Sequence, residues 1–595
     1  MLRRHCSMRR LRHSSKRLAA TTAAALVTVT LLHQRPVLST YCQSSSSHTS
    51  NPFHTSSIAA SPTTWSSAPP ISTPRPSTVH SNVNSTLLQL LSRQCRGLPA
   101  RGADIEILDT PTDFFNTLLH LISTATQHIT LSSLYLGTGP LETQLVAAIQ
   151  RRCEEQPQLK VHILLDYYRG TRDVNGHSSV TALQPLLSLN TPTHRRATVS
   201  LFRPPVRRFA GPVDVLFRGR WRELRGVHHM KYYVVDDQSI LSGANLSDTY
   251  FTNRQDRYVL FKRNTALVDW LHQLTDVLVT SQFAYTASST GQLAQPADGS
   301  DAQQLKARLM ELVKPREEDG QVGMNAAHAT LSPQVDTWLF PALQLGMVGV
   351  REEENIMTRL IKLTALTAFA PHNPLMQARQ PPTLSSSSPA SSPSAPPPPL
   401  TASSVPCLSI ATGYMNLPSI YTNALLSSVT PVRLLSSAES ANGWYGAKGI
   451  AVHVPRLYSA VLYSFLRHMQ QAGQRLVEVR EWQRDGWSYH VKGMWLSMGE
   501  AAAAGGAKGQ EAVLTVVGST NFGLRSMERD AECSVVIVTK GGLGEDSLAR
   551  RLGGERHRLW SNGVEVSVDT FERAGSERQL PWLIQWVAKF AREYL

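Results

Sequence analysis

The sequence predicts an α/β chain of two related sandwich lobes that share one active site at their interface. Two observations predict it. Apolar strand patterns alternate with helical ones through both halves of the folded part. One short pattern, a histidine and a lysine two residues apart followed by an asparagine and an acid, occurs once in each half. The alternation implies a largely parallel sheet in each sandwich.

The first 102 residues stand apart from this pattern. No Asp or Glu precedes Asp104, whereas twelve Lys and Arg do, so the net charge of +15 leaves only about +3 for the remainder. Overall charge is no argument for nucleic acid, and none is expected as a partner. Residues 1–40, rich in Arg and Ser and free of acids, read as a mitochondrial or plastid transit peptide. The apolar run 18–32 keeps two rival readings open, a secretory h-region or a short anchor, though it falls below the roughly 18 to 20 residues that span a bilayer. Residues 41–102, mostly Ser, Thr and Pro in their first part, read as disordered.

A first lobe is expected over 103–287. It contains a helix near 113–123, the strand HITLSSLYL, the turn GTGPL, a helix near 142–152 and the strand KVHILLD. The turn lacks the lysine and spacing of a nucleotide-binding P-loop. Residues 288–330 read as a linker that holds a helix near 301–312. A second lobe over 331–595 opens with a helix near 353–366 and continues with the strand SIATGYMNL. Between them a Ser/Pro/Ala insertion at 381–406 cannot be core.

The chemistry starts from VHHMKYYVVDD at 227–237. His229 and Lys231 lie on one face of an extended segment, about 7 Å apart. A buried imidazole beside a buried ammonium needs an anion between them. WSYHVKGMWLSMG repeats the pair as His490 and Lys492. Asn245 follows His229 by sixteen residues and Asn521 follows His490 by thirty-one; the Ala/Gly-rich loop 497–511 supplies the difference of fifteen. Asp256 and Glu532 then follow their asparagines by eleven each.

With both sets lining one cleft, one imidazole attacks phosphorus while the other protonates the leaving oxygen. Both lysines and both asparagines stabilise the phosphoryl oxygens, so neither metal nor cofactor is required. A nucleophilic histidine needs its second nitrogen held by an acceptor. Asp256 and Glu532 are the candidates, and for His229 Asp256 is a better one than the nearer Asp236. His228, on the opposite face and matched by Tyr489 in the second copy, reads as structural. The six cysteines form no CxxC pair and indicate neither disulfides nor zinc.

These residues resemble the phospholipase D superfamily, whose signature is H-x-K-x4-D followed by G-S-x-N, twice. The signature adds Asp236 and Ser519 to the catalytic set, although Asp236 lies off the His/Lys face and suits packing better. Ser242 and Gly243 replace the usual Gly and Ser in the first copy, and Ser497 replaces the aspartate in the second. The segments SLYLGTGPLE, LLDYYRGTR, ILSGANLSDTYFTNRQDRY, TGYMNL, YGAKG, GWSYHVKGMWL and GSTNFGLRSMERDAE are similar to the eukaryotic mitochondrial phosphatidylglycerophosphate synthases.

That resemblance implies two phospholipase D-like lobes and transfer of a phosphatidyl group from CDP-diacylglycerol to glycerol 3-phosphate, the committed step toward cardiolipin. It also implies a peripheral protein on the matrix side of the mitochondrial inner membrane. By superfamily analogy His229 takes the phosphatidyl group and His490 handles the proton. Transfer requires a second anion site, for which Arg169, Arg172, Arg254, Arg257, Lys448, Arg525 and Arg529 are candidates. A phosphodiesterase using the same site on water is the alternative, with a phospholipid or a nucleic acid as substrate. A non-catalytic binding module is disfavoured by two complete His/Lys/Asn sets. No oligomeric state is implied. Trp582, Trp586, Phe590 and Tyr594, spaced by four, offer a face for a membrane interface or for the core.

Overall fold

Two mixed sheets carry the two copies of the repeat. The computed structural model describes residues 76–205, 223–316, 335–365, 406–498, 511–541, 544 and 546–595, and both sheets belong to the unit Val79–Leu595. The transit peptide expected at 1–40, residues 41–75, the end of the linker from 317, the insertion up to residue 405 and the loop 499–510 lie outside the described residues.

In the first lobe seven strands lie side by side in the order Ala197–Phe202, Lys160–Asp166, His128–Ser133, Tyr232–Val235, Gln238–Ser242, Tyr258–Phe261, Ile105–Leu108. The second lobe repeats the order with Val477–Trp482, Val432–Ser437, Cys407–Thr412, Gly493–Met498, Glu511–Gly518, Ala531–Thr539 and Thr337–Leu345. Directions repeat as well: in each set the first three strands are parallel and the remaining pairings antiparallel. The internal repeat is therefore a repeat of topology.

The expected largely parallel sheet is corrected to a mixed one. Parallel neighbours need a long crossover, such as the helix Pro140–Glu155 between His128–Ser133 and Lys160–Asp166. Tyr232–Val235 and Gln238–Ser242 are joined by two residues, which permits only a hairpin.

Side-chain alternation decides which face each lobe shares. Tyr232 and Val234 join a core with Leu343, Trp495, Val517 and Ile537 of the other sheet, while Tyr233 and Val235 pack with Phe114, Leu118 and Ile149 of the outer helices. The helices Thr265–Val279, Ala302–Val313 and Leu548–Trp560 contribute to the shared core.

Two organisational expectations change. Within the stretch read as disordered, Pro76–Ser92 is a helix and Leu98–Ala100 pairs antiparallel with Thr337–Leu345, so the chain enters through the second lobe's sheet. Leu87, Leu88 and Leu91 are buried in that lobe, a local apolar density that the Ser/Thr/Pro composition upstream masks. Within the stretch read as a linker, Leu293–Ala294 extends the first sheet, and Leu305, Leu309 and Leu312 of Ala302–Val313 are buried in the shared core.

One buried ion pair bolts the lobes together. Arg257 Nε and Nη2 each donate to a different oxygen of Glu555 at 2.7 Å, Nη1 donates to Val516 O at 2.6 Å, and the guanidinium lies 4.2 Å from the Trp495 ring centroid. Arg257 is thereby committed to structure and leaves the list of substrate ligands. Glu555→Ala strands a buried guanidinium, and we expect a loss of about 3–5 kcal/mol in unfolding free energy, measured by urea denaturation.

Candidate active site

Neither candidate histidine, His229 or His490, sits in its own sheet. The segment carrying His229 ends before Tyr232–Val235 begins and crosses to the other lobe: His229 N donates to Ala531 O and Ala531 N to Val227 O, both at 2.9 Å. Val227 N is held by Asp530 Oδ1 at 3.0 Å. Gly226 permits the crossing, because its φ of +136° suits glycine and a Cβ there would collide with the Arg529 carbonyl. The second copy does the same in reverse. Ser488–Tyr489 pairs parallel with Arg254–Gln255 of the first lobe, and His490 N donates to Gln255 O at 2.8 Å.

The exchange crosses the carboxylates. His229 Nδ1 lies 2.9 Å from Glu532 Oε2, and His490 Nδ1 lies 2.7 Å from Asp256 Oδ2. Asp256 therefore serves His490 rather than His229, which corrects the sequence expectation. Lys231 Nζ and Lys492 Nζ each donate to the carbonyl oxygen of their own histidine. Lys492 Nζ also lies 2.7 Å from His490 Nδ1 and 3.9 Å from Asp256 Oδ2. Nδ1 has one role at a time: beside an ionised Asp256 it carries the proton and donates, so Lys492 discharges onto the carbonyl and the carboxylate.

The Gly/Ser substitutions between the copies are compensated. Ser519 Oγ donates to Glu532 Oε2 and accepts from Cys533 N at 3.1 Å. At the matching position a Cβ on Gly243 would come within 2.6 Å of Asp256 Oδ1 and 2.7 Å of Lys492 Cδ, so only glycine fits beside the shorter acid. Ser242 instead tightens the turn, donating to Arg257 O at 2.6 Å and accepting from Ala244 N at 2.9 Å. The amide oxygens of Asn245 and Asn521 are buried without hydrogen-bond partners, as is Glu532 Oε1. These oxygens are acceptors, so a phosphoryl oxygen would be met by the Nδ2 of the same amides.

Burial sets the charges. It pushes Asp256 up to about 6 against the pull of Lys492, and lowers Lys492 to about 8 against Asp256 and Glu532. Burial also raises Glu532, but the His229 imidazole, Lys231 and the Ser519 hydroxyl outweigh it and hold the group near 2. Both histidines are lowered by burial, His490 well below its usual range with Lys492 and Arg254 adding to the effect. At neutral pH two neutral imidazoles donate to two carboxylates.

The histidines differ at their second nitrogens. The Tyr250 hydroxyl lies 3.3 Å from His490 Nε2, while among the described residues no hydrogen bond reaches His229 Nε2. Tyr250 and Tyr414 both pack edge-on against the His490 ring, with centroids 5.1 and 5.8 Å away. Sequence reasoning missed both tyrosines, since nothing local separates a site tyrosine from a core one.

Asp236, predicted by the signature, and His228, read as structural, both fall outside the cluster. The Asp236 carboxylate accepts from Thr126 N at 2.7 Å, Gln127 N at 2.8 Å and His128 N at 3.1 Å, which fixes a turn away from the two histidine–carboxylate couples. His228 is buried against Ser132 Oγ at 2.8 Å and stays structural.

The comparisons with known proteins bear on the family and the fold. No family model matches the chain. The mitochondrial CDP-diacylglycerol–glycerol-3-phosphate 3-phosphatidyltransferase of Gallus gallus is 32% identical over 504 residues, covering 79% of this chain and 80% of the relative. The chain belongs to the CDP-diacylglycerol–glycerol-3-phosphate 3-phosphatidyltransferase family. The Saccharomyces cerevisiae member is 30% identical over 488 residues, 79% of this chain and 84% of its own. A solved phosphatidylserine synthase from Haemophilus influenzae shares the fold, with a TM-score of 0.57 at 18% identity over 86% of this chain and 99% of its own. The expected two-lobed phospholipase D-like fold is the one observed.

Within this family member the basic candidates separate by their partners. Arg169 and Arg172 both pair with Glu223, and Arg525 pairs with Asp530 at 3.0 Å while donating to Glu223 O at 3.0 Å. Arg529 pairs with Glu593 at 3.4 Å and lies over the Tyr594 ring, and Lys448 is exposed. Arg254 is different. Its guanidinium lies 4.6 Å from the Tyr250 ring centroid, its Nε donates to Ser488 Oγ at 3.0 Å, and no carboxylate pairs with it among the described residues.

Proposed function

We propose that this protein transfers the phosphatidyl group of CDP-diacylglycerol to sn-glycerol 3-phosphate, releasing CMP and forming phosphatidylglycerophosphate, through a phosphohistidine on His229. The observation that carries this reading is the crossed pair of histidine–carboxylate couples, one half of each from either lobe. Glu532 holds the Nδ1 proton of His229, which aims the Nε2 lone pair at the phosphatidyl phosphorus. The bond from that phosphorus to the bridging oxygen breaks as the new P–N bond forms. The diphosphate's negative charge raises the basicity of His490, which enters protonated and gives its Nε2 proton to departing CMP.

Neutral His490 then takes the proton of the incoming glycerol hydroxyl. That oxygen attacks the phosphohistidine, and His229 leaves unchanged. Lys231, Lys492, Asn245 and Asn521 bind the phosphoryl oxygens as charge spreads over them. With two ammoniums set against two carboxylates, Arg254 is the surplus cation beside His490 and the candidate ligand for the phosphate of glycerol 3-phosphate. The proposed setting is the matrix face of the mitochondrial inner membrane, with residues 1–40 as transit peptide and attachment peripheral. Among the described residues no helix is long and apolar enough to cross a membrane.

The test supplies the protein with CDP-diacylglycerol and radiolabelled glycerol 3-phosphate. Equal amounts of CMP and labelled lipid are expected. CMP released without labelled lipid overturns the transferase reading in favour of hydrolysis.

A further inference from the structure

The helix Trp582–Ala591 is packed on one face and bare on another. Ala588 is buried with Ala460 and Val461 of the helix Val454–Gln471, and Ile584 packs against them. Trp582 is 76% exposed and Trp586 38% exposed, and the Trp586 ring lies 4.8 Å from that of Phe590. Two neighbouring tryptophans left in water form an apolar patch that calls for a partner. From Trp582 to Arg592 the chain carries Lys589 and Arg592 and no acid.

Under this helix runs a groove of about 780 Å³, bounded also by Val454–Gln471 and Ser419–Leu426. Leu417, Leu426, Val461 and Ala588 line it, with Arg467, Lys589 and Arg592 as its cations and no carboxylate among its lining residues. Arg467 is already paired with Glu572. Arg592 is not: its guanidinium donates to Asn416 Oδ1 at 3.1 Å and Leu417 O at 2.7 Å, burial lowers its pKa, and no carboxylate meets it among the described residues.

One short segment of chain, Tyr414 to Leu417, runs from the histidine cluster to the groove. Met415 and Leu417 line it, and Tyr414, one residue earlier, packs against His490. Thr412 Oγ1 donates to Asn521 O at 2.7 Å, and Asn416 Nδ2 donates to Arg592 O at 2.6 Å. A phospholipid whose phosphate lies between the histidines must send its acyl chains away from a polar, charged centre. An apolar groove with an uncompensated cation and two exposed tryptophans meets that need.

We propose that these features form one lipid site: Trp582 and Trp586 enter the interface of an anionic membrane, and the groove takes an acyl chain of the phospholipid substrate. The acyl-chain half of this proposal rests on the phosphatidyltransferase reading; the membrane half does not. Lys589 and Arg592 meet anionic headgroups at the level where the tryptophans sit.

The full chain is tested by flotation with vesicles of phosphatidylcholine alone and with about a third phosphatidylglycerol, and by turnover of vesicle-borne dioleoyl and of monomeric dihexanoyl CDP-diacylglycerol. Wild type is expected to bind the anionic vesicles more tightly. Trp582→Ser with Trp586→Ser should cut the bound fraction about tenfold and the dioleoyl to dihexanoyl rate ratio by a similar factor. Ser464→Trp, which fills the groove from an exposed lining position, should raise KM for the dioleoyl substrate and leave that for dihexanoyl in place. Unchanged vesicle binding in the double variant overturns the membrane half, and an unchanged dioleoyl KM in Ser464→Trp overturns the groove half. A concentration-dependent dimer that the tryptophan substitutions abolish, with vesicle binding intact, assigns the patch to a second copy instead. Wild type that binds vesicles yet turns over neither substrate sinks the transferase reading and the acyl-chain half, leaving the membrane half standing.

Discussion

Alanine at His229 or at His490 is expected to lower turnover by about four orders of magnitude or more, and the two variants should fail at different steps. His229 has its Nδ1 bonded to Glu532 and no hydrogen bond at Nε2 among the described residues, whereas the Tyr250 hydroxyl engages the Nε2 of His490. A donor on Nε2 suits a group that gives and takes protons more than one that attacks phosphorus. His229→Ala should therefore release no CMP. His490→Ala keeps the nucleophile and loses the acid, so it should release up to one CMP per protein slowly, with the phosphatidyl label trapped on the chain. Rapid quench with labelled CDP-diacylglycerol reads both quantities. A trapped label in His229→Ala and none in His490→Ala would reverse the two roles.

The repeat, and with it most of the fold, was legible because it is written locally. Spacings of His, Lys, Asn and acid are linear properties of the chain, and the strands that carry them recur in the same order. The pairing of His with acid was not legible, because it depends on where the segments before Tyr232 and Gly493 go. Those segments leave their own sheets for hydrogen bonds at Ala531 and Gln255, contacts no periodicity reports. Gly226 is the one local trace of the crossing, as a residue that must approach the Arg529 backbone.

Charge misled in the same way. Arg257 and Arg254 stand three apart in one segment, yet Glu555, almost three hundred residues on, makes the first structural, while no carboxylate pairs with the second among the described residues. Asp236 satisfied a signature by position while serving a turn. Sequence locates the chemistry-bearing residues; for His229, His490 and Arg257 the partner that separates their roles comes from the other lobe.

Amide substitution of the two carboxylates carries the next largest effect and tests the crossing directly. Glu532→Gln and Asp256→Asn are each expected to cost about a thousandfold or more, since an amide no longer holds the imidazole in one tautomer or stabilises its cation. Their pH profiles should differ. Burial pushes Asp256 up to about 6 and lowers Lys492 to about 8, while the charges around Glu532 hold it near 2. As pH falls through about 6, Asp256 takes a proton and His490 loses its acceptor; as pH rises through about 8, Lys492 loses its charge. Wild-type activity should therefore be bell-shaped between those limits. Glu532→Gln should keep the acid limb, because its own carboxylate does not titrate there. Asp256→Asn should lose that limb and shift the alkaline limb downward, because Lys492 then lacks the carboxylate that sustained its charge. An acid limb that survives Asp256→Asn and disappears in Glu532→Gln would mean that Asp256 is not the group titrating beside His490. The crossed couples would then lack their functional consequence.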